Sequence, residues 1–95
     1  MPDLSAYRSE VSPAAERDIQ KLLYRIPRQD FDRLANAIDK LAEDPRPHGV
    51  RKIEGADTAY RIRVGSYRVV YDVYDSKKLV VILQVLRRSE TTYKS

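Results

Sequence analysis

The sequence predicts an α+β fold: an N-terminal strand, then a two-helix antiparallel hairpin packed on a small, mainly antiparallel sheet. Three observations carry this. Apolar residues recur at helical spacing in two successive stretches before Pro45. Beyond Gly49 the period shortens to two across Tyr60–Tyr71, and a run rich in β-branched residues follows at Leu79–Leu83. The switch from helical to strand period happens once, so helices and strands are segregated rather than alternating as in a parallel βαβ sheet.

The first element is a weakly alternating strand, Tyr7-Arg-Ser-Glu-Val11, which ends near Val11. Ser12-Pro13 then opens a helix, because serine caps the free N–H groups of the first turn and proline fits there. Ala15, Ile19, Leu22, Leu23 and Ile26 form its apolar face, with Arg17, Asp18, Lys21 and Arg25 on the other, and Pro27 ends it. Phe31, Leu34, Ala35, Ile38, Leu41 and Ala42 mark the second helix, which stops at Asp44-Pro45 because proline pushes the preceding residue out of helical geometry. Arg46-Pro-His-Gly49 is a turn-rich connector, and Val50-Arg-Lys-Ile53 is a brief strand or an extended loop before Glu54-Gly55.

Tyr60-Arg-Ile-Arg-Val-Gly-Ser-Tyr-Arg-Val-Val-Tyr71 reads as strand, two-residue turn and strand. Glycine first in the turn suits a type II′ hairpin. Ile62, Val64, Val69 and Tyr71 then share the core face, and Arg61, Arg63 and Arg68 share the other. The register pairs Val64 with Tyr67, Arg63 with Arg68 and Arg61 with Val70. Like charges directly opposed are destabilising, which points to an anion that offsets them. If Tyr74 pairs with Leu79 across the Asp75-Ser-Lys-Lys78 turn and the last strand has no bulge, Arg87 joins the Arg68 face and Arg88 points away. Tyr60 and Tyr71 have core parity and read as packing residues with a hydroxyl at the rim.

A chain of 95 residues fits a single domain, 1–95, burying roughly 60 to 70% of its unfolded surface. Lysine and arginine number seven against nine acids through Pro45 and eleven against five afterwards, so a net −2 precedes a net +6. A basic C-terminal half favours a polyanionic partner, nucleic acid ahead of a membrane surface, since no basic amphipathic helix accompanies it. With no cysteine there is neither a disulfide nor a cysteine metal site. One histidine among scattered acids matches no metal spacing, so phosphodiester chemistry would be metal-free and no cofactor is expected. No apolar run reaches the roughly 20 residues of a membrane helix, and the chain reads as soluble and cytoplasmic. Three glycines build no phosphate loop. His48, in a Pro-His-Gly turn without a carboxylate partner in sequence, reads as a loop residue ahead of a general base. Tyr93 lies in a polar tail, where stacking on a nucleic-acid base and covering the sheet edge are equally compatible with its setting.

The chain resembles RelE-type toxins of the RelE/ParE toxin–antitoxin superfamily. The resemblance rests on the strand ending near Val11, the helical hairpin closing in Leu41-Ala-Glu-Asp-Pro45, Lys52-Ile53-Glu54-Gly55, the Tyr60–Tyr71 hairpin, and Val85-Leu-Arg-Arg88 with Tyr93. It implies a ribosome-dependent endoribonuclease that cuts A-site mRNA without metal, through attack of a 2′-hydroxyl on the adjacent phosphate. It further implies that Arg61, Arg63, Arg68, Arg88 and Tyr93 are the catalytic set, with Tyr93 stacking on an mRNA base. Arg51, Lys52 and Arg87 are RNA-binding on the same reading. Parity points to Arg87 at the site and the resemblance to Arg88, and the assignment follows the resemblance. Implied partners are a RelB-like antitoxin, acidic where it meets the basic face, and the small ribosomal subunit with its mRNA. Some relatives carry lysine at the positions of Arg61 and Arg63, and guanidinium, with a pKa above about 12, is a poor base. The alternatives are a ParE-like inhibitor of DNA gyrase, and a ribosome- or RNA-binding module without cleavage.

Overall fold

The computed structural model describes residues 6–87. Its elements run β1 (Arg8–Val11), α1 (Pro13–Leu23), α2 (Arg28–Glu43), β2 (Arg51–Lys52), β3 (Ala59–Val64), β4 (Tyr67–Tyr74), a short 3₁₀ turn (Asp75–Lys77) and β5 (Leu79–Arg87). They form one sheet in the order β1-β5-β4-β3-β2, in which only β1 and β5 are parallel. The predicted α+β architecture is the observed one, and the brief strand after Val50 is real but two residues long.

Ser12 caps α1 as predicted: its Oγ accepts the Ala15 N–H at 3.1 Å, and Pro13 occupies the first turn. The helix is shorter than its apolar pattern. It stops at Leu23, and Pro27 begins α2 rather than ending α1. Proline at 27 already excludes Ile26 from helical geometry, so the chain leaves the helix early while Ile26 still turns inward and is buried. Leu23, assigned to the apolar face, is half exposed at 48%.

The helices cover one face of the sheet. There Ala15, Leu22, Leu34 and Leu41 meet Ile62, Val64, Tyr67, Val69, Tyr71, Val73, Val80, Ile82 and Val85 in one apolar core. Tyr71 is fully buried at its centre, and its hydroxyl donates to the Pro45 carbonyl at 2.6 Å. That hydroxyl is therefore interior, not at the rim. Tyr60 does reach the rim, stacked on Tyr71 with ring centroids 6.0 Å apart. Arg46 lies over the Tyr60 ring, donates from Nε to its hydroxyl at 3.1 Å, and forks onto Asp75 at 3.1 and 2.8 Å. Tyr7 donates to the same carboxylate at 2.6 Å. These bonds tie the loop after α2, which leads into β2, to the end of β4.

The last strand departs from the simple register. Tyr74 pairs with Leu79 as predicted, but Tyr71 faces Ile82 while Val70 faces Gln84, so Leu83 is a bulge. A bulge leaves ladder groups without strand partners, and α1 supplies them. Asp18 Oδ2 accepts the Val85 N–H at 3.0 Å, and Ser12 Oγ donates to the Leu83 carbonyl at 3.3 Å. Asp18 therefore faces the sheet, contrary to its predicted place on the outer side of α1.

Candidate functional site

The β3–β4 hairpin has the predicted register: Val64 pairs with Tyr67, Arg63 with Arg68, and Arg61 with Val70. Gly65 has φ +58°, while Ser66 is not in the positive-φ region, which is the pattern of a type II′ turn. Because Ile62, Val64, Tyr67 and Val69 point into the core, Arg61, Arg63 and Arg68 are left together on the face away from the helices. The edge strand adds to this row. Arg51 pairs with Arg61 and shares its face, whereas Lys52 pairs with Tyr60 and belongs to the helix side. The two are neighbours in sequence and both are expected to bind RNA, but alternation along a strand puts them on opposite faces.

The face is not uniformly solvated. Val70 and Leu86 are buried on it, directly opposite Arg61 and Arg68 respectively. Arginine stems can lie along such apolar surface, and Arg61 and Arg68 are half-buried where Arg51 and Arg63 are exposed.

Electrostatically the row is one-sided. Along β2, β3 and β4 the face carries Arg51, Arg61, Arg63 and Arg68 against the single carboxylate of Asp72. Asp72 is occupied: it accepts from Thr58 Oγ1 at 2.9 Å and from the Tyr74 hydroxyl at 3.0 Å, and the latter bond raises the Tyr74 pKa. Asp75 is engaged by the Arg46 guanidinium first and by Tyr7 second, and both hold its carboxyl below the ordinary value. The ion pairs Arg28–Asp32 and Arg46–Asp75 draw on none of Arg51, Arg61 and Arg63. Guanidinium forks on a rigid sheet bind phosphate bidentately and stabilise charge that develops on it.

The predicted residues divide accordingly. Arg51, Arg61, Arg63 and Arg68 are brought together, and Lys52 is not. The bulge reverses the parity of the end of β5, so Arg87 pairs with Tyr67 and lies on the helix side instead of joining Arg68. Arg87 is thus not on the face that an unbulged strand would give it. Arg88 and Tyr93 lie outside the described residues. His48 lines a broad groove of ≈ 990 Å³ between α2 and β3, whose other walls include Asp32, Arg33, Lys40 and Arg63.

Residues 10–92 match the family described as "ParE toxin of type II toxin-antitoxin system, parDE". The chain belongs to the RelE/ParE toxin superfamily. Within it the likenesses lie on the RelE side. RelE1 of Methanocaldococcus jannaschii is 29% identical over 80 residues, 81% of this chain and 88% of that protein. The RelE–RelB complex from Pyrococcus horikoshii OT3 contains a chain that superposes with TM-score 0.74 at 28% identity, covering 90% of this chain and 99% of that one. The isolated E. coli RelE toxin gives 0.68 at 25% identity, covering 92% and 89%. This RelE-like member of the superfamily is thus a toxin of the type II toxin–antitoxin class, and no helix among its described residues is long and apolar enough to cross a membrane.

Proposed function

We propose that the chain, acting as one toxin domain over 1–95, cuts mRNA in the ribosomal A site and so stops translation. The observation that carries this reading is the row of guanidiniums Arg61, Arg63 and Arg68 on adjacent, hydrogen-bonded strands, with Arg63 and Arg68 directly opposed. The reaction is attack of a ribose 2′-oxygen on the neighbouring phosphorus as the bond from phosphorus to the 5′-oxygen breaks. The 2′-hydroxyl loses a proton, the 5′-oxygen gains one, and the products end in a 2′,3′-cyclic phosphate and a 5′-hydroxyl. Arg61, Arg63 and Arg68 position the phosphate, neutralise charge on its equatorial oxygens, and lower the proton affinity of the 2′-hydroxyl enough for water to accept the proton. The step uses no metal. Arg88 assists the leaving oxygen and Tyr93 stacks on the base, both on the strength of the family resemblance.

A site made of charge stabilisers without a strong base depends on the substrate being held for in-line attack, and such positioning is worth about 7–11 kcal/mol when complete. The ribosome supplies it. A RelB-like antitoxin, acidic where it meets the arginine row, is the partner that silences the toxin, a reading supported by the RelE–RelB complexes among the structural neighbours. The test is purified toxin with translating ribosomes and, separately, with the same mRNA free. Cleavage in the first and none in the second is expected, and efficient cutting of free RNA contradicts the proposal. The second reading, gyrase inhibition, is favoured by the description of the matching family. Arrested supercoiling with intact mRNA would select it.

A further inference from the structure

The arginine row extends past the residues needed for a single reacting phosphate. Arg68 on β4, Arg61 and Arg63 on β3, and Arg51 on β2 span two interstrand spacings, about 10 Å. One phosphate can take two guanidinium forks at once, so the four arginines of the row offer more forks than a single phosphate occupies. Beside β2 the surface dips into a recess of ≈ 150 Å³ bounded by Gly49, Arg51, Arg61, Ile62 and Arg63. A water occupies about 30 Å³ in the liquid, so the recess has room for a phosphate group. Arg51 and Arg61 are directly opposed, which places their Cβ atoms about 4.5–5.5 Å apart and makes the pair repulsive without an anion.

The edge is also held in place. Tyr71 fixes the Pro45 carbonyl, Arg46 is anchored on Asp75 and Tyr60, the Val50 N–H donates to the Pro47 carbonyl at 3.1 Å, and Gly49 takes φ +88° to turn the chain into β2. The loop that delivers Arg51 is therefore braced against the sheet, and Asp72 and Asp75 are engaged by other partners.

We propose that this edge is a second phosphate subsite, in which Arg51, with Arg61 and Arg63, binds an RNA backbone phosphodiester next to the one that is cut. Its placement relative to the cut rests on the function proposed above, whereas phosphate binding by Arg51 does not. Arg51 is thus a positioning residue that acts on the strand and not on the reacting phosphorus. The row sets the direction of the RNA, running from β4 towards the β2 edge.

The experiment measures binding of a fluorescent single-stranded RNA with a 2′-O-methyl group at every ribose, by anisotropy across a KCl series. Wild type is compared with Arg51→Gln and with Arg25→Gln, which removes an exposed charge in the turn between α1 and α2. Each phosphate contact contributes about 0.7 to the slope of log affinity against log salt for single strands. Arg51→Gln is expected to lower the slope by about that amount, and Arg25→Gln to leave it at the wild-type value. Equal slopes for wild type and Arg51→Gln, or an equal fall in both variants, overturn the subsite. On translating ribosomes Arg51→Gln should raise KM by a larger factor than it lowers kcat, and the reverse split would put Arg51 on the reacting phosphate and refute its positioning role. If ribosomes reveal no cleavage at all, the catalytic reading fails while the salt slope still decides whether Arg51 holds a phosphate.

Discussion

Replacing Tyr71 with phenylalanine removes one hydroxyl from the centre of the molecule, and its consequence can be worked out at two pH values. The ring is fully buried, and its hydroxyl donates to the Pro45 carbonyl at 2.6 Å. Phenylalanine keeps the packing but leaves that buried acceptor without its partner, which costs about 1–2 kcal/mol. For a domain of this size the melting temperature should fall by roughly 5–15 °C. The same hydroxyl is hard to ionise in the fold, chiefly because burial disfavours the phenolate, with Arg46 opposing and Tyr60 and Asp44 reinforcing the upward shift. A raised folded pKa means that the folded state holds its proton after the unfolded chain, with an ordinary value of about 10, has begun to lose it. Stability from this group is therefore complete below about pH 10 and declines above it, by about 1.4 kcal/mol at pH 11. Phenylalanine has no such loss. Urea unfolding at pH 8 and pH 11 should show a gap between wild type and Tyr71→Phe that is open at the lower pH and nearly closed at the higher. Parallel stabilities at both, or equal melting temperatures, would refute the assignment of the hydroxyl.

The acid side rests on Asp75, whose carboxyl is held low by Arg46 and Tyr7. Its contribution is present above the unfolded carboxylate value of about 3.9 and is lost as pH falls through the lower folded value. Asp75→Asn should flatten the stability profile below about pH 4, which acid titration of the circular dichroism signal will register. Arg63→Ala and Arg68→Ala should each lower cleavage on ribosomes by at least about two orders of magnitude, the scale for losing one preorganised charge stabiliser. Thermal denaturation should find both variants folded, and normal cleavage by both would reduce the row to a solvated face. Tyr93→Phe should keep most single-turnover activity, while Tyr93→Ala should lose about ten- to a hundredfold, since stacking is worth roughly 1–3 kcal/mol per base. Equal losses in the two would transfer the role from ring to hydroxyl.

The hairpin was legible because its signals are local. Alternation of Ile62, Val64, Val69 and Tyr71 with arginine leaves one workable register, and Gly65 fixes the turn. The helices were equally plain, except that Pro27 shortened the first one from a distance of several residues. What the sequence concealed lies in β5. Leu79–Leu83 is apolar on both faces, so it offers no alternation from which a slipped residue could be noticed. The bulge at Leu83 is specified by Asp18 and Ser12, more than sixty positions away. It moved Arg87 off the predicted face. A weaker signal was available for the burial of Val70, since Val69-Val70-Tyr71 places apolar residues on both sides of β4. Arg51 was visible as a basic residue, but only its pairing with Arg61 separates it from Lys52.

The most direct test is the chemistry of the cut ends. mRNA recovered from ribosomes after exposure to the toxin should carry a 2′,3′-cyclic phosphate on the upstream fragment and a 5′-hydroxyl on the downstream one, as assayed by resistance of the upstream fragment to 3′-ligation until the cyclic phosphate is opened and the resulting monophosphate removed, and by direct labelling of the downstream 5′-end with polynucleotide kinase. A 5′-phosphate and a free 3′-hydroxyl would mean that water, not the neighbouring 2′-oxygen, is the nucleophile, and the arginine row would not be the centre described here.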